Sequence, residues 1–141
     1  MIRQTSNNAS KSFPRRESFV DCCGVTREFI IDFARSDDHR FLTAVEVADG
    51  ESRYEFDAMS ETDPYFALAR LRQTIRRELS RRYLQSNAGR LELSHDLLEG
   101  RIAGGGVVVD GEFVSFSDLW ELIQTYEGFH LSLRIMDASE F

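Results

Sequence analysis

The clearest alternation of apolar and polar residues lies near the end of the chain. Val107–Val109 is an apolar run typical of a buried strand, and Glu112–Phe116 has the alternation expected of its partner. Asp110 and Gly111 stand between them. This dipeptide favours a two-residue type I′ turn, because both central positions of that turn need positive φ. The pattern therefore predicts a β-hairpin.

A helix and a further strand are predicted after this hairpin. Ser117 has a side chain suited to capping a helix N-terminus, and Gly128 suits the left-handed residue that ends a helix. From Phe129 to Ile135 apolar residues occupy every second position, which predicts a half-buried strand. The apolar residues between Ser117 and Gly128 recur every three or four positions and define the predicted buried face of the helix: Leu119, Leu122, Ile123 and Tyr126.

A weaker version of the same order of elements precedes this unit. Strands are predicted over Gly24–Ala34, Arg40–Ala48 and Glu51–Met59, because these segments are rich in β-branched and aromatic residues. A turn is predicted at Ser36–His39, and Asp49-Gly50 predicts a second type I′ hairpin.

A long amphipathic helix follows. Thr62 or Asp63 is predicted as its N-cap, and Pro64 suits its first turn because the missing N–H would have no partner there. The helix is predicted to end near Leu84. Its core-facing residues are spaced by three or four positions: Leu68, Leu71, Ile75, Leu79 and Tyr83.

These elements predict a single α+β domain with one long and one short helix. Its mostly antiparallel sheet should have about six or seven strands, built from two hairpin–helix–strand units. Short strands at Arg90–Ser94 and Arg101–Ala103 and a turn through Gly104–Gly106 complete it. The domain is predicted to span residues 19–141, after a flexible polar tail at residues 1–18. Low identity between the units leaves duplication and convergence as alternatives.

Length and composition limit the class of protein. A chain of 141 residues with 42% apolar residues can bury a core without disulfides or metal ions. No apolar run approaches the roughly 20 residues that cross a bilayer, and none follows Met1. We therefore expect a cytoplasmic protein without a membrane partner. Adjacent Cys22 and Cys23 are predicted to be reduced thiols, too few for a metal site, and no cofactor is expected.

Several segments resemble a family of uncharacterised bacterial domains. The likeness lies in HRFLTAVEVADG, ARLRQTIRREL, LEGRI and above all VVVDGEFVSFSDLWELIQTYEGFHLSLRIMDASE, and it covers residues 39–140. The shared features are an Asp-Gly hairpin, a short capped helix and a Tyr-Glu-Gly-aromatic start to the last strand. The resemblance implies one compact domain and carries over no catalytic residue.

Arginines are concentrated in the long helix, where six lie between Arg70 and Arg82. Arg70, Arg77 and Arg81 are predicted to face away from its apolar side, and such a ridge can bind phosphates or an acidic partner. We favour the alternative of a solvated face, because the net charge of the chain is −7 and acidic residues can balance the arginines. Nucleic acid is therefore the less favoured partner.

Two residues of the C-terminal unit have no evident structural role. Trp120 lies at the edge of its helix's apolar face, where it can line a ligand pocket, form a subunit contact or complete the core. Glu127 can act as a general acid or base, or accept a hydrogen bond from a neighbouring strand or turn, which we favour. His130 is predicted on the outward face of the last strand, and the histidines lack metal-ligand spacing.

The favoured function is a non-catalytic interaction or ligand-binding module. Its partner is expected to be a protein or small ligand, and we predict a homodimer formed through a sheet edge or a helix face. Two alternatives stay open: a nucleic-acid-associated regulator that uses the Arg-rich helix, and an enzyme with a dispersed site around Glu127 and His130. An enzyme is disfavoured because no catalytic motif occurs. The candidate binding residues are Arg70, Arg77, Arg81, Trp120 and Glu127.

Overall fold

The computed structural model describes residues 15–36 and 39–141. Within these residues the chain forms nine antiparallel strands in three sheets, two α-helices and one 3₁₀ helix. The strands are β1 (Arg16–Val20), β2 (Thr26–Ser36), β3 (His39–Glu46), β4 (Glu55–Ser60), β5 (Leu84–Asn87), β6 (Arg90–Leu93), β7 (Arg101–Ala103), β8 (Gly106–Val109) and β9 (Glu112–Ser115). The helices are α1 (Pro64–Leu79), α2 (Phe116–Gln124) and the 3₁₀ helix η1 (Ala138–Glu140).

The predicted α+β class, the antiparallel pairing and the pair of one long and one short helix are confirmed. The described residues form sheets of four, two and three strands, in the orders β1-β2-β3-β4, β5-β6 and β7-β8-β9. We had predicted about six or seven strands in one sheet. The difference arises because the short strands pair locally. Two-residue turns at Ala88-Gly89 and Gly104-Gly105 bring β5 against β6 and β7 against β8, so these hairpins do not extend the first sheet.

The first core lies between α1 and the four-stranded sheet. Its strand residues alternate with more exposed ones, as expected for a sheet covered on one face. Asp63 caps α1 by accepting the amide of Tyr65 at 2.9 Å, and Pro64 begins the helix, as predicted. The core contains Phe19, Phe29, Ile31, Leu42, Ala44, Phe56, Ala58, Ala67, Leu68, Leu71, Ile75 and Leu79.

Helix α1 ends at Leu79, before the predicted end at Leu84. The amides of Tyr83 and Leu84 do not continue the helix, because they donate to the carboxylate of Asp110 at 2.9–3.1 Å. Leu84 is then the first residue of β5. A contact with a residue far along the chain thus replaces the last predicted turn of the helix.

The two Asp-Gly pairs form different structures. Asp110 and Gly111 both have positive φ, 56° and 76°, and join Val109 to Glu112 as the predicted type I′ turn. The predicted tight turn at Asp49-Gly50 is wrong, because β3 and β4 are connected by a loop of residues 47–54.

This wide loop is held by Glu46. Its carboxylate accepts the amide of Tyr54 at 3.1 Å and pairs with Arg27 at 3.0 Å. The backbone amide of Glu46 also donates to the carbonyl of Tyr54 at 2.9 Å. The loop is therefore closed by a side chain at its base, and a two-residue turn is not needed.

Three further predicted boundaries shift. Residues 16–18 belong to β1 and pair with β2, although we placed them in the tail, because Arg16 lies opposite Ile30 in the ladder. Residues 1–14 of that tail and the centre of the turn at 37–38 lie outside the described residues.

Helix α2 is capped by Ser115, whose hydroxyl accepts the amide of Asp118 at 3.1 Å. Ser117 is wrong as the cap, because Ser115 has the extended backbone that an N-cap requires. The assignment of residues 19–141 to one domain stays a prediction.

The predicted last strand is also wrong. Residues 129–135 form no strand, since no described segment lies beside them to complete a ladder. Their apolar side chains are exposed, whereas we predicted a half-buried face.

A second core is formed where α2 packs on β8 and β9. It consists of Tyr83, Leu84, Val107, Val109, Val114 and Leu122. We call the part of the chain up to residue 80, which contains the first core, the first half, and the part from residue 81 onward, which contains the second core, the second half. The two halves touch at Gly111, where an added Cβ would lie 2.7 Å from the ring of Tyr54. Nearby, the amide of Phe113 donates to the hydroxyl of Ser52 at 3.1 Å, and Arg101 lies 3.3 Å from Glu55.

Candidate functional site

The most exposed apolar feature of the described residues follows α2. Phe129, Leu131, Leu133 and Ile135 are 77%, 73%, 80% and 72% exposed, and we call these four residues the apolar strip. They stand at alternating positions, and a strand conformation of this segment places such positions on the same side. Soluble proteins scatter single apolar residues over their surfaces, but a continuous apolar patch is a common sign of an interaction surface.

Hydrogen bonds hold both ends of the segment that carries the apolar strip. Gly128 has a φ of 93°, and the amide of Phe129 donates to the carbonyl of Tyr126 at 2.9 Å. At the other end Asp137 caps η1 by accepting the amide of Ser139 at 2.9 Å. Between these points, the backbone of residues 130–136 forms no hydrogen bond with any other described part of the chain. The segment therefore offers unpaired backbone groups as well as apolar side chains.

Helix α2 adds a second exposed apolar face. Phe116 and Trp120 are 50% and 61% exposed and lie four residues apart, which places them on the same side of the helix. Leu122 is the residue that α2 buries in the second core. The structure thus places Trp120 largely in solvent.

The candidate arginines of α1 contact groups of the chain itself. Arg70 donates to the carbonyl of Met59 at 3.2 Å. Arg77 donates to Glu78 at 3.1 Å and to the carbonyl of Phe141 at 2.8 Å, and it lies over the Phe141 ring. Arg70 and Arg77 line a small polar depression of about 140 Å³ together with Asp57 and Phe141.

Arg81 stands apart from the other two. Its guanidinium lies 3.5 Å from Glu99 and 3.9 Å from Glu78. The structure therefore brings Arg70 and Arg77 to one depression and places Arg81 at the junction between the two halves. All three cations have acidic or carbonyl groups of the chain within reach, which reduces the positive potential they offer to an external phosphate.

Glu127 and His130 are both exposed, and neither lines the depression beside Arg70 and Arg77 or the one beside the β3–β4 loop. The amide of Glu127 donates to the carbonyl of Gln124 at 3.3 Å, which closes the turn after α2. The hydrogen bond that we favoured for its carboxylate, from a neighbouring strand or turn, stays a prediction.

A buried polar cluster at the junction was missed from the sequence. The hydroxyl of Tyr83 lies 2.9 Å from a carboxylate oxygen of Glu78 and 2.9 Å from one of Glu99. Burial raises the pKa of the Tyr83 phenol, and the two carboxylates add to this effect while Arg81 opposes it. Tyr83 therefore remains a protonated donor at neutral pH. Helical spacing assigned Tyr83 to an apolar face, and spacing carries no information about Glu99.

Asp110 was recognised only as a turn residue, yet it is buried. Its carboxylate accepts the amides of Tyr83 and Leu84 and so attaches the β8–β9 turn to the start of β5. An Asp-Gly pair predicts the turn, but no local pattern indicates that the carboxylate will bind amides far away in sequence.

The described part of the chain has a second depression, but neither a metal cluster nor a membrane-spanning helix. A shallow depression of about 560 Å³ lies beside the β3–β4 loop and is lined by Ile30, Asp32, Glu46 and Arg53 among others. Residues 15–36 and 39–141 contain no group of three or more His, Cys, Asp or Glu side chains placed to hold a metal ion. None of their helices is long and apolar enough to cross a membrane.

Comparison with known families divides the chain into two parts. Residues 11–80 match the family model of a domain of unknown function, DUF7686, and residues 82–140 match that of another, DUF7713. No curated protein and no solved structure matches the chain. The predicted resemblance to uncharacterised domains is confirmed, but two family models match where we predicted one family over residues 39–140. The bacterial origin stays a prediction. Two consecutive parts of the chain are therefore similar to two different domains of unknown function, DUF7686 and then DUF7713.

Proposed function

We propose that the protein is a non-catalytic interaction module that forms a homodimer through the apolar strip. The observation that carries this proposal is the exposure, at 72–80%, of four apolar side chains at alternating positions of one unpaired segment. The backbone of residues 130–136 lacks hydrogen-bond partners among the described residues, and the Phe129 ring, although largely exposed, contacts the ring of Tyr126 at a centroid distance of 5.7 Å. A second strand supplies partners for both the backbone and the exposed side chains.

The exposed apolar area of the strip is a large part of the area that an interface needs. Side chains of this type at this exposure leave on the order of 500 Å² of apolar surface in each copy. A standard interface buries about 800 Å² per partner, so the strip supplies a large part of it. Phe116 and Trp120 are further exposed apolar residues of the same domain that can contribute. Removal of this surface from water favours association, since each buried Å² contributes about 25 cal/mol.

The strip is complementary to itself. A two-fold dimer brings the same patch of both subunits together, so the patch must match its own reverse. In an antiparallel pair centred on Ser132, Phe129 faces Ile135 of the other copy and Leu131 faces Leu133. This register keeps all four apolar residues on one face and pairs all seven residues of the segment. A shift by one residue would place apolar residues opposite polar ones.

The residues on the other face of the segment are compatible with this arrangement. His130, Ser132 and Arg134 stand between the apolar residues, and no acidic residue lies within residues 128–136. Glu127 and Asp137 would lie opposite each other across the pair, but both stand outside the segment, beyond Gly128 and at the cap of η1. The ladder should therefore be limited to residues 129–135.

The proposal is tested by sedimentation of the purified protein over a wide range of concentration. We expect a reversible monomer–dimer equilibrium in the wild type. The double variant Leu131→Ser/Leu133→Ser should raise the Kd of the dimer at least about tenfold for each leucine, because each loses a buried apolar contact. Its circular dichroism spectrum should be that of the wild type, since both side chains are exposed in the monomer.

The matched control is Val20→Ser/Val47→Ser, which removes two exposed apolar side chains of the first half. This variant should dimerise as the wild type does. A wild type that sediments as a monomer at every concentration contradicts the proposal, and so does a control that weakens association as strongly as the strip variant.

A further inference from the structure

Cys22 and Cys23 form a pair of thiols that the proposed interaction does not use. They follow β1 in a turn that precedes β2, and both are free and exposed. Their Sγ atoms lie 3.8 Å apart. The two sulfur atoms are therefore accessible from solvent together.

The backbone that carries these thiols is held in place. The amide of Cys22 donates to the carbonyl of Leu79, at the end of α1, at 2.8 Å. The amide of Cys23 donates to the carboxylate of Asp21 at 2.8 Å, and the amide of Val25 donates to the same oxygen at 2.9 Å. Because both cysteine amides are already bonded, a ligand that binds both sulfurs has little backbone freedom left to remove.

The separation of the sulfurs suits a shared centre. Two thiolates bound to one tetrahedral centre with bonds of about 2.3 Å are about 3.8 Å apart, and a pyramidal three-coordinate centre, whose bond angles are narrower, needs the two sulfurs to move slightly closer together. Zinc sites need four ligands as a rule, and no third His, Cys, Asp or Glu joins the pair within residues 15–36 and 39–141. The pair therefore fits a thiophilic centre that requires two more ligands and no others.

We propose that Cys22 and Cys23 form a two-thiol site for trivalent arsenic in monosubstituted arsenicals, in which arsenic carries one organic group and needs two more bonds. Soft thiolate sulfur is the protein ligand that such a soft centre prefers. In the reaction, R–As(OH)₂ and two S–H groups give R–As(S)₂ and two molecules of water. Two As–O and two S–H bonds break, two As–S bonds form, and arsenic remains trivalent throughout.

The surroundings of the pair favour this ligand over simple alkylating agents. Burial raises the pKa of the Cys22 thiol, and Cys23 and the carboxylate of Asp21 add to this effect. A protonated thiol attacks an alkylating agent slowly, because the thiolate is the nucleophile. Condensation with the arsenical releases water and no net proton, so a raised thiol pKa does not oppose it at equilibrium.

The experiment uses the reduced, full-length chain and phenylarsine oxide as the probe. One equivalent is added, excess 2-mercaptoethanol is supplied as a competing monothiol, and native mass spectrometry counts the bound groups. We expect one phenylarsenic group per chain that resists the monothiol and is released by the dithiol 2,3-dimercaptopropanol. Cys22→Ser and Cys23→Ser should each weaken binding about 100-fold or more, because loss of one bond removes the advantage of a second, intramolecular one.

Two results would overturn the proposal. One is an adduct on the wild type that the monothiol removes, and the other is either single variant keeping a monothiol-resistant adduct. Circular dichroism of both variants establishes that they are folded. The Leu131→Ser/Leu133→Ser variant retains both cysteines and should bind the probe as the wild type does, which separates this site from the dimer surface.

Discussion

Strand β2 and the segment 129–135 carry the same alternation of apolar and polar residues and end in opposite environments. Phe29 and Ile31 of β2 are 0% and 4% exposed, while every residue of the apolar strip is more than 70% exposed. Strand β2 has β1 and β3 beside it, and α1 covers the sheet to which it belongs. The segment 129–135 has neither a neighbouring strand nor a covering helix among the described residues.

This difference shows what an alternating pattern encodes. It specifies that one face of an extended segment should be buried, but it does not specify what covers that face. In β2 the cover lies in the same chain. Nothing among the described residues covers the apolar strip, and the self-complementary order of its residues supports our proposal that a second copy does.

The largest effect should come from removing a covered residue. Phe29→Ala is expected to reduce the free energy of unfolding by about 3–5 kcal/mol, because it deletes a fully buried ring and leaves a cavity. Leu133→Ala, in the strip, should change it by no more than about 0.5 kcal/mol. Denaturation by urea at a concentration where the protein is monomeric measures both. Similar losses for the two variants would show that the strip is covered within one chain.

The next effect concerns the two Asp-Gly pairs. Asp110→Ala should cost about 1.5–3 kcal/mol, since it leaves the buried amides of Tyr83 and Leu84 without their charged acceptor. Asp49→Ala is the matched control and should stay within about 0.5 kcal/mol, because Asp49 is exposed in the β3–β4 loop. The same urea measurement applies. Equal losses would mean that the role of Asp110 is limited to its turn.

The smallest effect is a dependence on pH at the contact between the halves. Burial of Asp57, together with the carboxylates of Glu55 and Asp137, raises its pKa above the usual 3.8. A raised carboxyl pKa means that stability is retained below the unfolded pKa and is lost as the pH rises through the folded pKa. Asp57→Asn should therefore be more stable than the wild type at pH 7, by on the order of half a kcal/mol.

The advantage of Asp57→Asn should disappear below about pH 3.8. Thermal unfolding of both proteins from pH 3 to pH 8 checks this. Asp32→Asn, on an exposed position of β2, is the control and should show no such trend. An advantage that stays constant over the whole range would assign the gain to something other than the charge of Asp57.

The structural features that depend only on neighbouring residues could be predicted from the sequence. The Asp110-Gly111 turn and the cap of α1 by Asp63 depend on a few consecutive residues, and both were predicted. The failures have distant causes. The loop at Asp49 is closed by Glu46, and the amides of Tyr83 and Leu84 bind Asp110, so the last predicted turn of α1 does not form.

The candidate site was predictable only in part. The alternation of residues 129–135 was visible in the sequence, but the exposure of its apolar residues was not. The short separation of the sulfurs of Cys22 and Cys23 depends on the shape of their turn. The contacts of Arg70, Arg77 and Arg81 depend on groups brought near them by the fold.

The contact between Gly111 and Tyr54 has a consequence for how the two halves evolve. The ring of Tyr54 occupies the space that a side chain at position 111 would need. A residue such as asparagine tolerates the positive φ of this turn, but it can enter only if position 54 also becomes smaller. Positions 54 and 111 should therefore covary among relatives that carry both domains. Where DUF7713 occurs without DUF7686, that restriction on position 111 is lifted, and larger residues compatible with the turn should appear there.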